Sequence, residues 1–398
     1  MFEISIWKLF GHFDYHFHIK ENQITILTGP NGFGKSTIIR FIHAIGNSDL
    51  SIFFETVYDK IEIRAENAPG TFTIASEDDG ITCNERHISL KNFNYFSRGT
   101  EPLLRLKEKR QFAAEKETYT ETLNIMKNLF GDVFFISEHR VVVNSVQRIV
   151  KHADIKRIKK VLVESVMEIP EKLEECMKEA ERSYSQTSNE LDSTFPERLF
   201  SQKTGISEED FYKNLNLMHE RVQKLHKNGF TRIRELKDMT FQAKDARALK
   251  VYFDDFNTKY QEFEDILNKM ELFQDIVSRR FQFKKLVITK IPDTMVTDEM
   301  TGQPIPLSRL SSGEKEILIL FYNLLFENTD GGILLVDEPE ISLHIAWQRM
   351  FIDDLRKIAL LRNLTIIIAT HSPQIINGNR NIQIDLGELY KNGLNQRK

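Results

Sequence analysis

Apolar and polar positions alternate over the first 30 residues, which is typical of half-buried β-strands. The second predicted strand shows two faces, one with Phe13, Tyr15, Phe17 and Ile19, the other with Asp14, His16 and His18. A short apolar run, 24–27, then leads through a glycine-rich loop into a predicted helix, 35–44. Further strands are predicted at 60–64, 71–75 and 133–136.

The spacing changes between residues 151 and 280, where charges multiply and apolar residues recur every three or four positions. This spacing predicts an arm-like insertion of a few antiparallel helices. The proline of TFPERL (194–199) predicts a break in a long helix, and KNG (227–229) predicts a helix end.

Strand patterns return at 286–291, 332–336 and 364–369, with a helix predicted at 343–361. We therefore predict an α/β protein with three segments: 1–150, the helical insertion 151–280, and 281–398.

Composition narrows the function classes. The formal net charge of −4 over 398 residues gives no overall attraction to nucleic acid. Cys83 and Cys176 are far apart and match no metal or redox spacing. The N-terminus lacks the pattern of a signal peptide, and the longest apolar run, 317–326, is too short to span a bilayer. We expect a cytoplasmic protein without a membrane anchor.

The loop GPNGFGKST (29–37) matches the phosphate-binding pattern G-x-x-x-x-G-K-[ST] between a predicted strand and helix. In this pattern backbone N–H groups close on the phosphates, Lys35 reaches the outer phosphates, and the Ser36 hydroxyl binds Mg²⁺. The residues predicted to bind ATP here are Asn31, Gly32, Gly34, Lys35, Ser36 and Thr37.

Two acids follow the apolar strand of ILLVDEPE (333–340). Such a strand delivers its terminal carboxylates to the edge of a sheet. We predict that Asp337 holds Mg²⁺ and that Glu338 orients and deprotonates the attacking water. The next strand ends in ATHSP, which places His371 at the same edge, near the γ-phosphate.

The stretch RLSSGEKEILILFYNLLF (309–326) predicts a helix capped by Ser311 or Ser312. A helix N-terminus opened by serine and glycine is also an anion site. The chain thus carries two predicted phosphate cradles, far apart in sequence.

In this order, the phosphate loop, LSSGE, DEPE and ATHSP resemble the nucleotide-binding head of the ABC ATPases. This resemblance implies a mixed sheet with a P-loop core, an antiparallel β subdomain, and two heads that pair head to tail. It also implies that Ser312, Gly313 and Glu314 bind the ATP held by another copy, with residues 340–344 crossing between sites. The expected assembly is a homodimer or a higher even oligomer with composite ATP sites.

The long insertion and LSSGE resemble the SMC-like branch, and more closely the OLD-like ATP-binding proteins of prokaryotic anti-phage defence, which include Septu and retron ATPases. The motifs that carry this resemblance are SNELDSTFPERL (188–199), VSRRFQFKKL (277–286), LSSGEKE, DEPEISLHIAWQ (337–348) and ATHSPQII (369–376). Relatives tend to carry a metal-coupling glutamine where FFISEHR has His139, before Arg140. The resemblance therefore implies a metal role for His139.

The chain ends soon after these motifs, so we expect any damaging activity on another chain. The resemblance implies an HNH nuclease, a Toprim nuclease, or the reverse transcriptase and RNA of a retron. The alternatives are an SMC-like DNA-repair ATPase and the ATPase subunit of a transporter.

Two features of the sequence have more than one interpretation. The basic run Lys151, Lys156, Arg157, Lys159 and Lys160 fits nucleic acid, a partner's acidic face, or a solvated helix. One ring among Phe13, Tyr15 and Phe17 fits adenine stacking or core packing.

Overall fold

The computed structural model describes residues 2–65, 70–100, 106–136, 155–234, 239–288, 295–327, 330–341 and 344–396. The chain divides into two compact units. We call Met1–Asn144 with Glu327–Lys398 the two-sheet unit, and Ser145–Phe326 the helical unit. Among the described residues, no helix has both the length and the apolar character needed to cross a membrane.

The elements are numbered along the chain. The strands are β1 (Phe2–Leu9), β2 (Phe13–Ile19), β3 (Ile24–Thr28), β4 (Lys60–Ala65), β5 (Thr71–Glu77), β6 (Gly80–Cys83), β7 (Arg86–Ser89), β8 (Val133–Ile136), β9 (Lys284–Leu286), β10 (Val296–Asp298), β11 (Ile333–Asp337), β12 (Thr365–Ala369) and β13 (Gln383–Asp385). The helices are α1 (Lys35–Gly46), α2 (Ser51–Glu55), α3 (Leu90–Phe96), α4 (Leu106–Phe130), α5 (Ile155–Ser201), α6 (Glu208–Lys227), α7 (Ala246–Ser278), α8 (Ser312–Tyr322), α9 (Ile345–Arg362), α10 (Pro373–Ile376) and α11 (Leu386–Gln396).

A five-stranded parallel sheet of order β13-β3-β12-β11-β8 forms the centre of the two-sheet unit. Every residue of β3, β11 and β12 is buried, as expected for strands covered on both faces. Asp337 is paired with Ala369, and Ala369 with Leu27. The carboxyl ends of β3, β12 and β11 therefore meet at one edge.

A six-stranded antiparallel sheet of order β2-β1-β4-β5-β6-β7 completes this unit. Its inner face shares one apolar core with α1 and the parallel sheet, represented by Ile4, Phe17, Ile39, Leu335 and Ile367. The predicted alternation in β2 is confirmed, since Tyr15, Phe17 and Ile19 are buried while His16 and His18 are exposed. The predicted α/β class, with a P-loop sheet and a separate antiparallel sheet, is confirmed.

The helical unit is built on the antiparallel pair α5 and α7. Lys259 Nζ lies 2.8 Å from Asp192 Oδ1, and Thr187 Oγ1 donates to Glu262 Oε1 at 2.8 Å, which fixes their register. This unit also contains α6, α8 and the small ribbon of β9 and β10. Packing thus groups the LSSGE segment with the helices, while the three-segment division stays a prediction.

The predicted helix break at TFPERL is wrong, because α5 runs without interruption through Pro170 and Pro196. An internal proline costs a helix about 3 kcal/mol, since it removes a hydrogen bond and crowds the preceding turn. The Arg198 side chain, just after Pro196, ties this part of α5 to α7. The Arg198 guanidinium donates to the Leu191 carbonyl at 2.6 Å and pairs with both carboxylate oxygens of Asp255 on α7.

The other predicted elements differ from the structure mainly at their ends. KNG marks the end of α6 at Lys227, and Gly229 has a φ of 81°. The strand predicted at 286–291 is instead β9, which ends at Leu286, and residues 289–291 lie outside the described residues. The strand predicted at 133–136 coincides with β8.

Candidate nucleotide-binding site

The loop between β3 and α1 has the backbone of a phosphate cradle. Gly29, Gly32 and Gly34 have φ values of 140°, 84° and 87°, which favour glycine. Gly34 is the N-cap of α1, and no side chain caps this helix end. A Cβ atom on Gly34 would lie 2.6 Å from Leu9 Cδ2. The backbone N–H groups in the first turn of α1 therefore have no side-chain partner from the N-cap residue. Such N–H groups attract anions.

Strand β2 contacts this loop through Tyr15 and Phe13. Tyr15 donates its hydroxyl hydrogen to the Phe33 carbonyl at 2.8 Å, and the Phe33 ring lies 4.8 Å from the Phe13 ring. Burial raises the pKa of Tyr15 far above its usual value, so the phenol keeps its proton and remains a donor. Of the rings considered for adenine, Tyr15 and Phe17 are buried and Phe13 packs on Phe33.

Lys35 contacts the backbone of the phosphate loop, and Ser36 contacts Asp337, the other residue predicted to hold Mg²⁺. The buried Lys35 ammonium donates to the carbonyls of Gly29 and Pro30 at 2.9 and 3.3 Å. Ser36 donates its hydroxyl hydrogen to Asp337 Oδ1 at 2.9 Å. This places a hydroxyl oxygen beside a carboxylate oxygen, and oxygen atoms are the ligands that Mg²⁺ takes. The donor set therefore fits a magnesium ion.

Glu338 is held in an unusual backbone conformation directly after β11. Its φ of 47° lies in the left-handed region, which costs a residue with a side chain on the order of 1–3 kcal/mol. Its N–H donates to the Ala369 carbonyl at 2.9 Å, and its Oε2 lies 2.8 Å from His371 Nδ1. In this conformation the Glu338 carboxylate lies next to the imidazole of His371, which follows the neighbouring strand β12.

Glu340 also belongs to this site, a role that sequence reasoning missed. Its Oε1 accepts hydrogen bonds from Thr370 Oγ1 at 2.7 Å and from the N–H groups of His371 and Ser372 at 3.0 and 3.2 Å. The same oxygen lies 3.2 Å from His371 Nδ1. Glu340 therefore positions the turn that carries the histidine, and the second glutamate of DEPE was the sequence signal that could have indicated it.

The phosphate loop, Glu338 and His371 line one cleft with a volume of about 350 Å³. The lining residues are Phe10, Asn31, Gly32, Gly34, Lys35, Ser36, Thr37, Glu338 and His371. The exposed Phe10, in the turn between β1 and β2, was also missed by sequence reasoning. The cleft therefore brings together the glycine loop, the Lys35 ammonium, the Glu338 carboxylate, the His371 imidazole and one exposed aromatic ring.

This combination agrees with the comparison against known families. A family model described as AAA ATPase domain matches residues 8–376, almost the whole chain. The chain belongs to this ATPase family. The probable ATPase of retron Ec83 from Escherichia coli is 35% identical over 104 residues, which are 23% of this chain and 19% of that protein. The match thus spans about a fifth of that relative's length.

Two solved structures align with this chain over most of its length. One is the Smc head domain with an extended coiled coil, bound to the C-terminal domain of ScpA, from Pyrococcus furiosus; it is 14% identical with a TM-score of 0.37, covering 94% of this chain and 91% of that one. The other is the SmcHead bound to the C-winged helix domain of ScpA, 11% identical with a TM-score of 0.40, covering 95% and 90%.

The LSSGE segment of the ATPase lies in the helical unit, at the start of α8. Ser311 is the N-cap, with Glu314 completing a capping box: Ser311 Oγ accepts from the Glu314 N–H, and Glu314 Oε2 from the Ser311 N–H. Lys284 Nζ donates to both Glu314 carboxylate oxygens at 2.7 and 3.0 Å. Ser312 is exposed and Gly313 half-buried. Ser311 is also exposed, but its hydroxyl is engaged with Glu314, whereas Ser312 and Gly313 take no part in the capping box.

The charge state of Glu314 follows from these contacts. Burial alone raises the pKa of Glu314, but hydrogen bonds from Lys284 and Ser311 outweigh it and hold the pKa below its usual value. Glu314 is therefore an ionised carboxylate that fixes the start of α8.

Two predicted features lie wholly or partly outside the described residues. His139 and Arg140 lie outside the described residues, so the metal role implied for His139 stays a prediction. Lys151 also lies outside them, whereas the rest of the basic run lies on the helical backbone of α5.

Proposed function

We propose that this chain binds ATP with Mg²⁺ in the cleft around Lys35 and hydrolyses it. The observation that carries this proposal is the meeting of the glycine loop, the Ser36–Asp337 contact and the Glu338–His371 pair in that cleft. A Gly-rich loop, a lysine and a carboxylate beside a hydroxyl are the parts that phosphoryl transfer to water requires.

Each side chain has a separate role in this mechanism. Backbone N–H groups at the start of α1 and the Lys35 ammonium bind the phosphates. Ser36 and Asp337 would hold a magnesium ion, which when bound would neutralise charge on the phosphates. Glu338 takes the proton of the attacking water. His371 donates to the transferring phosphate while Glu340 holds its turn in place. Phe10 stacks on the base.

The hydrolytic activity is tested by comparing Lys35→Ala with Lys20→Ala. Both changes remove one lysine, but Lys20 is exposed and does not line the cleft. We expect Lys35→Ala to abolish ATP binding, measured by calorimetry, and phosphate release, while Lys20→Ala keeps both. Equal ATP hydrolysis by the two variants would contradict the proposal.

We further propose that the site is completed by a second copy, which contributes Ser312 and Gly313. A helix start that carries a serine hydroxyl and a glycine N–H suits an anion, and the cap formed by Ser311 and Glu314 leaves both available. Glu314 then serves the site by fixing this turn. ATP would hold two copies together, and hydrolysis would release them, which makes the assembly a switch.

We propose that the switch controls a separate effector in anti-phage defence: an HNH or Toprim nuclease, or retron components. The match to a retron ATPase supports this. Phage plating on cells that carry the gene and its neighbours tests it. We expect protection with the native chain and loss of protection with Lys35→Ala. Full protection by Lys35→Ala would contradict this role.

A second candidate is a DNA-maintenance ATPase that grips DNA with its arm. The observation that favours it is the continuous 47-residue α5 paired with the 33-residue α7, since the sequence had predicted a broken arm. It predicts an ATP-dependent affinity for duplex DNA that falls steeply with salt. Equal binding with and without ATP would count against it.

A further inference from the structure

Three potential metal ligands lie together on the outer face of the antiparallel sheet, away from the nucleotide cleft. His16 and His18 are two residues apart on β2, so both project from the face opposite Tyr15 and Phe17. Glu3 lies directly across from His18 in the register of β1 and β2. One ligand atom from each of these three side chains lies within 4.8 Å of the other two.

We infer that Glu3, His16 and His18 form a site for a divalent transition-metal ion of the Zn²⁺ type. Two imidazoles and one carboxylate are a ligand set that zinc takes, with a fourth position left for water. Tetrahedral ligands at the usual bond lengths lie about 3.3 Å apart. Glu3 Oε1 and His16 Nε2 are separated by 3.4 Å, and the two imidazole rings by 5.2 Å between centroids.

Ser5 orients one of the imidazoles. Its Oγ lies 2.7 Å from His16 Nδ1, and the residue is only 8% exposed. When Nδ1 carries the proton and donates it to Ser5, the lone pair of Nε2 faces Glu3 and is available to a metal. A partner on the second ring nitrogen that fixes the tautomer is a regular feature of metal-binding histidines.

The charges around the cluster leave one Glu3 oxygen available. Arg64 Nη1 lies 3.3 Å from Glu3 Oε2, so it contacts the oxygen that faces away from His16. Lys60 is engaged with Glu62 and lies over the Trp7 ring. Arg64 neutralises part of the carboxylate charge without occupying the oxygen that the metal needs.

The described residues contain two other clusters of this kind, and both differ from this one. One consists of Glu338 and His371, which line the nucleotide cleft, together with Glu340, which contacts His371. In the third cluster His87 turns Nδ1 to Glu77 at 3.1 Å and Nε2 to Asp79 at 3.4 Å. Its two ring nitrogens therefore face two different carboxylates, and only one histidine is present. This His87 cluster is a matched control.

A metal bound to β1 and β2 would cross-link the two strands. β2 also carries Tyr15, which supports the phosphate loop through Phe33. The site would therefore stiffen the strand behind that loop. Its existence does not depend on the proposed ATP hydrolysis.

Zinc titration of the untagged full chain tests this site, with excess Mg²⁺ present and no nucleotide. We expect His16→Ala and His18→Ala each to lose one bound equivalent that His87→Ala retains. Ser5→Ala should weaken binding about 10–100-fold, because it removes the partner that fixes the tautomer. Co²⁺ absorption gives a second readout, in which the tetrahedral visible bands should appear with the native chain and be missing from His18→Ala.

Both histidines are exposed, so circular dichroism should show native folding in all variants. Zinc should raise the melting temperature of the native chain by mass action but not that of the double variant His16→Ala/His18→Ala. Unchanged zinc affinity and stoichiometry in the double variant would overturn the inference, as would loss of the equivalent in His87→Ala instead.

Discussion

The starts of α1 and α8 use the same physical chemistry in two ways. Both helices begin with glycine and serine at an end that attracts anions. α1 begins after Gly34 in the left-handed conformation with no side-chain cap, whereas α8 is closed by Ser311 and Glu314. The start of α1 lines the nucleotide cleft. The start of α8 is closed by its own capping box, which leaves Ser312 exposed and Gly313 half-buried, and this arrangement suits half of a site shared with another copy.

The sharpest way to separate the two turns is to add one methyl group to each glycine. Gly34→Ala forces a positive φ on alanine and a contact of 2.6 Å with Leu9, so we expect loss of ATP binding. Gly313 lies inside the regular helix α8, where alanine is favoured. Gly313→Ala should keep ATP binding to the single chain and lose hydrolysis. Calorimetry and phosphate release separate the outcomes, and equal ATP affinities would contradict the comparison.

Within the cleft, Glu338 and Glu340 should differ in kind. Glu338→Gln removes the proposed base and should lower kcat by about 10²–10⁴-fold while ATP binding persists. Glu340→Gln loses acceptor strength at the turn that carries His371, so its kcat should fall less, and its folding should weaken. Light scattering of Glu338→Gln should show a closed assembly with ATP. A larger kcat loss in Glu340→Gln would reverse the assigned roles.

The cap of α8 should contribute to stability in a pH-dependent way. Glu314→Gln weakens the capping box and the bond to Lys284, which we expect to cost about 1 kcal/mol of unfolding free energy. Because the folded-state pKa of Glu314 lies below its ordinary value near 4.5, its contribution is full above that pH and declines as pH falls through the folded-state pKa.

Urea unfolding of both proteins at several pH values measures this contribution. The gap between native chain and Glu314→Gln should narrow in acid. A gap that widened as pH fell would contradict the ion pair with Lys284.

The smallest effect should come from the aromatic ring at the cleft. Phe10→Ala removes a stacking surface worth about 0.5–1.5 kcal/mol, so ATP should bind about 2–10-fold more weakly. Tyr212, exposed in the helical unit, offers a control ring whose removal should leave the affinity unchanged. Equal affinity of Phe10→Ala and the native chain would exclude Phe10 as the base-stacking residue.

Much of the cleft could be predicted from sequence because its parts follow neighbouring parallel strands. Lys35 follows β3, the acids follow β11 and His371 follows β12, so the edge of the sheet brings them together. Phe10 could not be predicted, since it lies in a turn with a φ of 55° and has no periodic pattern.

The sequence did not predict the continuity of α5, and the reason is different. Local propensity predicts a break at Pro196, but Arg198 pairs with Asp255, which is 57 residues away in sequence. Such a contact exists only once α5 and α7 have packed. The continuity of α5 therefore depends on tertiary contacts, which the local sequence does not show.

The central claim, that one copy completes the site of another, is tested most directly by mixing two inactive variants. Lys35→Ala lacks the phosphate lysine and Ser312→Arg blocks the turn at α8, so neither alone should hydrolyse ATP. In an equal mixture half of the dimers are mixed, and each of these has one intact site, which predicts about a quarter of the native rate. No recovery of phosphate release, with mixed assembly shown by light scattering, would contradict the shared site.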